Sequence, residues 1–157
     1  GVNIENEKEV IKNYIRAQES INKKNAVQFL KTHSYLFNIE GNNFTDLNNS
    51  LGVIYIVRDP RNVVTSAAKF FNISPTDAAD HLIHTTQLSI SKISDNSPDK
   101  IIRDYVGSWS GNFNSWKSFK SQGKYLLIKY EDLIADKEAT VKKILKFISS
   151  SLAHLLP

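Results

Sequence analysis

The chain has 157 residues, 41% of them apolar and 23% charged, a size and balance that suit one globular domain over residues 1–157. It holds no cysteine, which excludes disulfides, thiolate metal sites and a cysteine nucleophile, and its longest apolar runs fall far short of the roughly 20 residues that cross a bilayer. A net charge of +4 favours anionic ligands but is too diffuse to argue for nucleic acid; with no charged-then-apolar leader, the expected location is cytoplasmic.

Glu5 to Lys24 predicts a charged helix with an apolar stripe of Val10, Ile11, Tyr14, Ile15 and Ile21. Ala26 to Lys31 reads as a short strand. Ser34 to Ser50 reads as irregular, with turn-like Gly41-Asn42-Asn43 and Leu47-Asn48-Asn49-Ser50. Gly52 to Val57 is apolar and rich in β-branched residues, the pattern of a strand buried on both faces of a parallel sheet. Asp59 is a good N-cap and Pro60 suits the first helical position, so Asn62 to Phe71 predicts a helix. Ser74 and Pro75 start another, running to about Ile93. Asp95 to Asp99 reads as a loop, and a helix is expected near Pro98 to Val106. Ser108 to Ser121 predicts a helix with Gly111 as a weak point. Tyr125 to Lys129 predicts a strand. Lys137 to Leu152 predicts an amphipathic helix with Val141, Ile144, Leu145 and Ile148 at core spacing. Strands alternating with helices imply an α/β fold with a parallel sheet.

Arg58 falls at the carboxyl end of the central strand, beside a helix N-terminus. Ligands of open α/β sheets bind at that edge, and a helix N-terminus favours anions. Ser66 lies two turns into the helix and offers a hydroxyl. A fork-shaped cation plus a hydroxyl suits a terminal phosphate. Equally open from the local pattern is an Arg58 paired with Asp59 or Asp132 and a Ser66 facing water.

The string from Ile54 to Ser66 resembles the 3′-phosphate signature of sulfotransferases that use 3′-phosphoadenosine 5′-phosphosulfate (PAPS). Lys31-Thr32-His33 resembles that family's catalytic segment. Gly107-Ser108-Trp109, with Trp116 seven residues on, is similar to its Gly-Ser-Trp helix start. Tyr130-Glu131-Asp132-Leu133 is similar to its Tyr-Glu-Asp strand end. The nearest likeness is to bacterial members of the cytosolic-type branch. The resemblance implies a three-layer parallel sheet flanked by helices, of the type seen in P-loop NTPases. It also implies His33 as catalytic base, Lys31 steadying the sulfuryl group or leaving phosphate, Arg58 and Ser66 on the cofactor 3′-phosphate, and Tyr130 against its adenine end.

The residues suit such chemistry. An imidazole is mostly neutral at pH 7 and can take the proton an acceptor must lose. Lys31, two residues before His33, shares its face while the chain is extended. Glu131 and Asp132 are read as capping the next helix or pairing with an Arg. Trp109 and Trp116 share one helical face and are read mainly as core. The family often has His where Asn112 stands, so no function is carried onto Asn112. His81 and His84 have zinc-like spacing but no third ligand, so no metal is expected. The lysines at 137, 142, 143 and 146 read as a solvated face.

Two family segments find no counterpart: the Gly-containing 5′-phosphosulfate loop before Lys31, and the Arg/Gly-rich segment after the last helix. The chain, which starts at Gly1 and contains no methionine, is therefore expected to be an incomplete domain, inactive or nearly so alone. A P-loop phosphoryl transferase would need Gly-x-x-x-x-Gly-Lys-Ser/Thr, which none of the six glycines supplies. A non-catalytic nucleotide- or anion-binding module stays open, and a nucleic-acid binder is a distant third. The acceptor is open among small hydroxylated metabolites, lipids, glycans and antibiotic scaffolds. Ser34 to Ser50 and Phe71 to Ser97 are the expected acceptor-lining segments; Phe37, Phe44 and Phe71 fit such a pocket or a core.

Overall fold

The computed structural model describes residues 2–24, 26–84, 88–92 and 101–153. The predicted N-terminal helix is two helices, α1 (Glu7–Lys12) and α2 (Tyr14–Asn22). Asn13 divides them. Its side-chain amide donates to Glu9 O at 2.8 Å and its N–H to Val10 O at 3.0 Å, so the side chain competes with the helical ladder.

The strand expected at 26–31 does not form. Residues 26–33 are exposed, with Phe29 71% and Leu30 68% accessible, and pair with no strand among the described residues. Propensity alone makes no strand; a hydrogen-bonded neighbour does. Conversely, the stretch read as irregular holds a small hairpin, β1 (Asn38–Ile39) and β2 (Asn42–Asn43). Glu40 and Gly41 close it at φ 51° and 81°, as a primed turn requires.

The next elements are β3 (Val53–Val57), α3 (Pro60–Phe71) and α4 (Pro75–His84). Both helices start as the sequence predicts. The Asp59 carboxylate accepts from Arg61 N at 2.9 Å, and Ser74 Oγ accepts from Asp77 N at 3.1 Å. The second helix does not run to Ile93. Leu88–Lys92 is a strand, β4, antiparallel to β5 (Ile101–Tyr105), which replaces the helix expected near 98–106. Leu88-Ser89-Ile90-Ser91 alternates with period two, the strand signal that the helix reading overlooked. The loop expected at 95–99 lies outside the described residues.

α5 (Trp109–Ser115) passes into a 3₁₀ segment, Trp116–Gln122. β6 (Tyr125–Lys129) pairs parallel with β3, with Val57 opposite Lys129. α6 (Tyr130–Ala135) and α7 (Lys137–Ala153) complete the order. The result is an α/β arrangement built on a parallel pair. β3 is not buried on both faces: each strand of this sheet has one partner among the described residues, and Ile56 is 54% accessible.

The tightest packing lies beside the sheet. Phe37, 2% accessible, sits among the rings of Tyr14, Tyr35, Phe44 and Tyr105 at centroid distances of 5.0–5.8 Å. Phe44 also meets Trp116 edge-on at 6.0 Å. Phe37 and Phe44 therefore belong to the core, whereas Phe71 is largely exposed. Trp116 is buried as expected, and Trp109 stacks on Phe113 at 5.8 Å.

Candidate functional site

Parallel strands bring their carboxyl ends to one edge. With Val57 opposite Lys129, the next row of the register puts Arg58 beside Tyr130. The Arg58 guanidinium carbon lies 4.7 Å from the centre of the Tyr130 ring, a cation–π arrangement. One row further, Glu131 accepts from Asp59 N at 3.3 Å and ties the start of α3 to the end of β6. Tyr130 does not end its strand, as the motif suggested; it begins α6.

Among the described residues no carboxylate forms an ion pair with Arg58. Asp59 is taken by Arg61, whose Nη2 approaches at 2.5 Å and whose Nε lies at 3.0 and 3.2 Å. Hydrogen bonds from the Arg61 side chain, then from its backbone, lower the Asp59 pKa to about 2. Arg58 Nε is buried and has no hydrogen-bond partner among the described residues. A buried, unpaired guanidinium N–H is costly, at about 1–3 kcal/mol. Ser66 is exposed in the second turn of α3, in the helix that opens beside Arg58.

Lys31 and His33 lie on the exposed segment 26–33. The chain immediately after His33 is held firmly. Ser34 is 1% accessible. Its Oγ accepts from Tyr105 N at 3.1 Å, its carbonyl accepts from the Trp116 indole at 3.1 Å, and Tyr35 N donates to Tyr105 O at 2.7 Å. Leu36 N donates to Ser115 Oγ at 2.9 Å. The exposed His33 side chain thus leaves from a fixed root.

Two residues to which the sequence assigned no role stand at His33. Asp104 Oδ2, on β5, lies 4.0 Å from His33 Nδ1. That is ion-pair range for a protonated ring but too long for a hydrogen bond. Burial, then the Asp104 charge, raises the Tyr14 phenol pKa as well. Asn112, on α5, donates to the carbonyls of His33 at 2.9 Å and Val106 at 2.7 Å, and accepts from the Tyr55 hydroxyl at 2.9 Å. Tyr55 is pushed up to about 12, by burial first and by Tyr125 second. Asp104 was hidden by the helix expected there; Asn112 lay inside a recognised motif at a position that departs from it.

The structure thus joins Arg58 with Tyr130, and His33 with Asp104 and Asn112. The two groups connect through Asn112 and Tyr55 on β3, three residues before Arg58. Among the described residues, no group of three or more His, Asp or Glu side chains could hold a metal ion, and no helix is long and apolar enough to cross a membrane.

The sulfotransferase domain family matches residues 4–154, and the chain belongs to that family. Human sulfotransferase 2B1 is 28% identical over 106 residues, covering 64% of this chain and 25% of that protein. Rat sulfotransferase 1A1 is 27% identical over 134 residues, covering 85% of this chain and 42% of that protein. Guinea-pig 3-alpha-hydroxysteroid sulfotransferase is 26% identical over 110 residues, covering 64% of this chain and 32% of that protein. The chain therefore spans between a quarter and two-fifths of the length of these three relatives.

Proposed function

We propose that this chain, as a partial sulfotransferase domain over residues 1–157, carries the base and the 3′-phosphate half-site of an enzyme that moves a sulfuryl group from PAPS to an acceptor. The observation that carries this reading is Arg58: a cation at the carboxyl edge of a parallel sheet, stacked over Tyr130, with a buried N–H that has no partner among the described residues. A dianionic phosphate answers that need best, since its oxygens accept the fork of a guanidinium. Ser66 adds a hydroxyl on the adjoining helix, and Tyr130 offers its ring to the adenine end.

In the proposed reaction His33 takes the proton of an acceptor hydroxyl as its oxygen bonds to sulfur. The bond from sulfur to the bridging oxygen breaks, and 3′-phosphoadenosine 5′-phosphate leaves with that oxygen. Lys31 meets the negative charge that grows there. A small hydroxylated molecule is the acceptor class; the name of the guinea-pig relative makes a hydroxysteroid the first to try.

The test is calorimetric titration of the chain with 3′-phosphoadenosine 5′-phosphate and, separately, with adenosine 5′-monophosphate. The 3′-phosphorylated nucleotide should bind at least tenfold more tightly. Equal affinity would remove the 3′-phosphate from the reading. Binding only of magnesium nucleoside triphosphate would favour phosphoryl transfer instead.

A further inference from the structure

We propose that Asn112 is a positioning residue: it fixes the backbone from which His33 projects and locks it to the strand that ends in Arg58. This rests on the reading of His33 as the base. A primary amide has two N–H donors and one carbonyl oxygen. Asn112 uses all three functions, each on a different element: the carbonyl of His33, the carbonyl of Val106 just past β5, and the hydroxyl of Tyr55 on β3. The partners also dictate the orientation of the amide, because a flipped amide would set its oxygen against two carbonyl oxygens.

The location makes this more than a packing contact. His33 is exposed, so its direction is set from behind. Ser34 is held by Tyr105 and Trp116, which fixes the chain after His33. Asn112 fixes the peptide plane of His33 itself. Tyr55 then transmits that position to β3, so that base and nucleotide cation hang from one framework. Reacting groups must meet within fractions of an ångström, and a 1 Å error can cost about a hundredfold in rate.

The deciding variant is Asn112→Asp. It keeps the size of the side chain and an acceptor for Tyr55, but turns oxygen instead of N–H toward the two carbonyls. The first readout is the His33 ring signal in proton–carbon NMR, assigned by its loss in His33→Ala. Asn112→Asp should shift or broaden that signal while those of His81 and His84 stay in place. Ile128→Val, a core truncation in the same sheet, controls for general destabilisation and should leave the His33 signal unmoved. The second readout is sulfuryl transfer by the protein that carries this chain: kcat should fall about ten- to hundredfold, with the KM for the donor within threefold of wild type.

An unmoved His33 signal in folded Asn112→Asp, or an unchanged kcat where His33→Ala abolishes transfer, would overturn the inference and leave the reading of His33 intact. If His33→Ala itself transfers normally, both fall. Should Asn112→Asp fail to fold, Asn112→Gln, which keeps donors but displaces them by one methylene, takes its place under the same criteria.

Discussion

Replacing Arg58 with alanine should separate stability from binding. In the free protein the guanidinium's favourable contact is with the Tyr130 ring at 4.7 Å. A cation–π pair of this kind contributes about 0.5–2 kcal/mol, depending on how desolvated it is. Against it stands the buried Nε–H without a partner among the described residues, a liability of about 1–3 kcal/mol. The two are similar in size and opposite in sign. Arg58→Ala should therefore melt within about 4 °C of wild type, since about 1 kcal/mol moves a domain of this size by about 2–4 °C. A bound phosphate changes the balance. The N–H gains a charged acceptor, and a hydrogen bond to a charged group contributes about 1.5–3 kcal/mol. Losing it should weaken the affinity for 3′-phosphoadenosine 5′-phosphate by about 10- to 150-fold.

The assays are scanning calorimetry of the free variant and isothermal titration with the nucleotide, both at fixed ionic strength. Arg58→Lys sharpens the comparison. It keeps the charge but neither forks nor stacks, and its affinity should fall between wild type and Arg58→Ala. A melting temperature lowered by more than about 10 °C, with affinity unchanged, would refute the reasoning: Arg58 would then be a structural cation.

Phe37→Ala empties the centre of the aromatic cluster and should cost about 3–5 kcal/mol by chemical denaturation, enough to unfold a marginal domain; a loss under about 1 kcal/mol would mean the cluster is not the core. In Gly111→Ala the added Cβ would lie 2.7 Å from Ser108 Oγ, the side chain that caps α5. Losing the cap, at about 1 kcal/mol, should cancel the helix-propensity gain of similar size, so the variant should show no net stabilisation; a melting point raised by several degrees would show that the cap tolerates the methyl group. The raised pKa of Tyr55 means that the folded chain holds a proton the unfolded chain releases. Its contribution is complete below pH 10 and is lost as pH rises towards about 12; in Tyr55→Phe that part of the alkaline decline should shrink in a pH series of melting curves. The lowered pKa of Asp59 works in the opposite direction. The contribution of its carboxylate is present above the ordinary carboxylate range and is lost as pH falls towards about 2, and Asp59→Asn should flatten that acid limb.

The legible and illegible parts of the sequence divide along a physical line. Short-range rules worked: Asp59 and Pro60 started α3, Ser74 and Pro75 started α4, Ser108 started α5, and the β-branched run became β3. Each depends on neighbours within four residues. Features set by distant partners were not legible. Ala26 to Lys31 has strand propensity but no strand beside it among the described residues. The sequence pattern predicts helix around Leu88 to Lys92 and Ile101 to Tyr105, yet each supplies the other's strand partner. Asn13 broke a helix whose apolar stripe ran unbroken through it.

The candidate site shows the same division. Its motif residues are legible because they form contiguous strings, but a string names residues without saying what holds them. Arg58 and Tyr130 are 72 positions apart, and only the parallel register of β3 with β6 makes them neighbours. Asn112 stood in a recognised motif as its odd member. Its identity matters through three partners 6, 57 and 79 residues away, which no local pattern could join. The register also explains why no carboxylate meets the Arg58 N–H among the described residues. The row that sets Arg58 over a neutral ring places Glu131 one step further on, where it holds the Asp59 N–H. Asp59 in turn is occupied by Arg61. A one-residue slip of β6 would set a carboxylate beside Arg58 and satisfy it with an internal ion pair. An Arg58 already paired in that way would carry a neutralised charge and have fewer donors free for an anion.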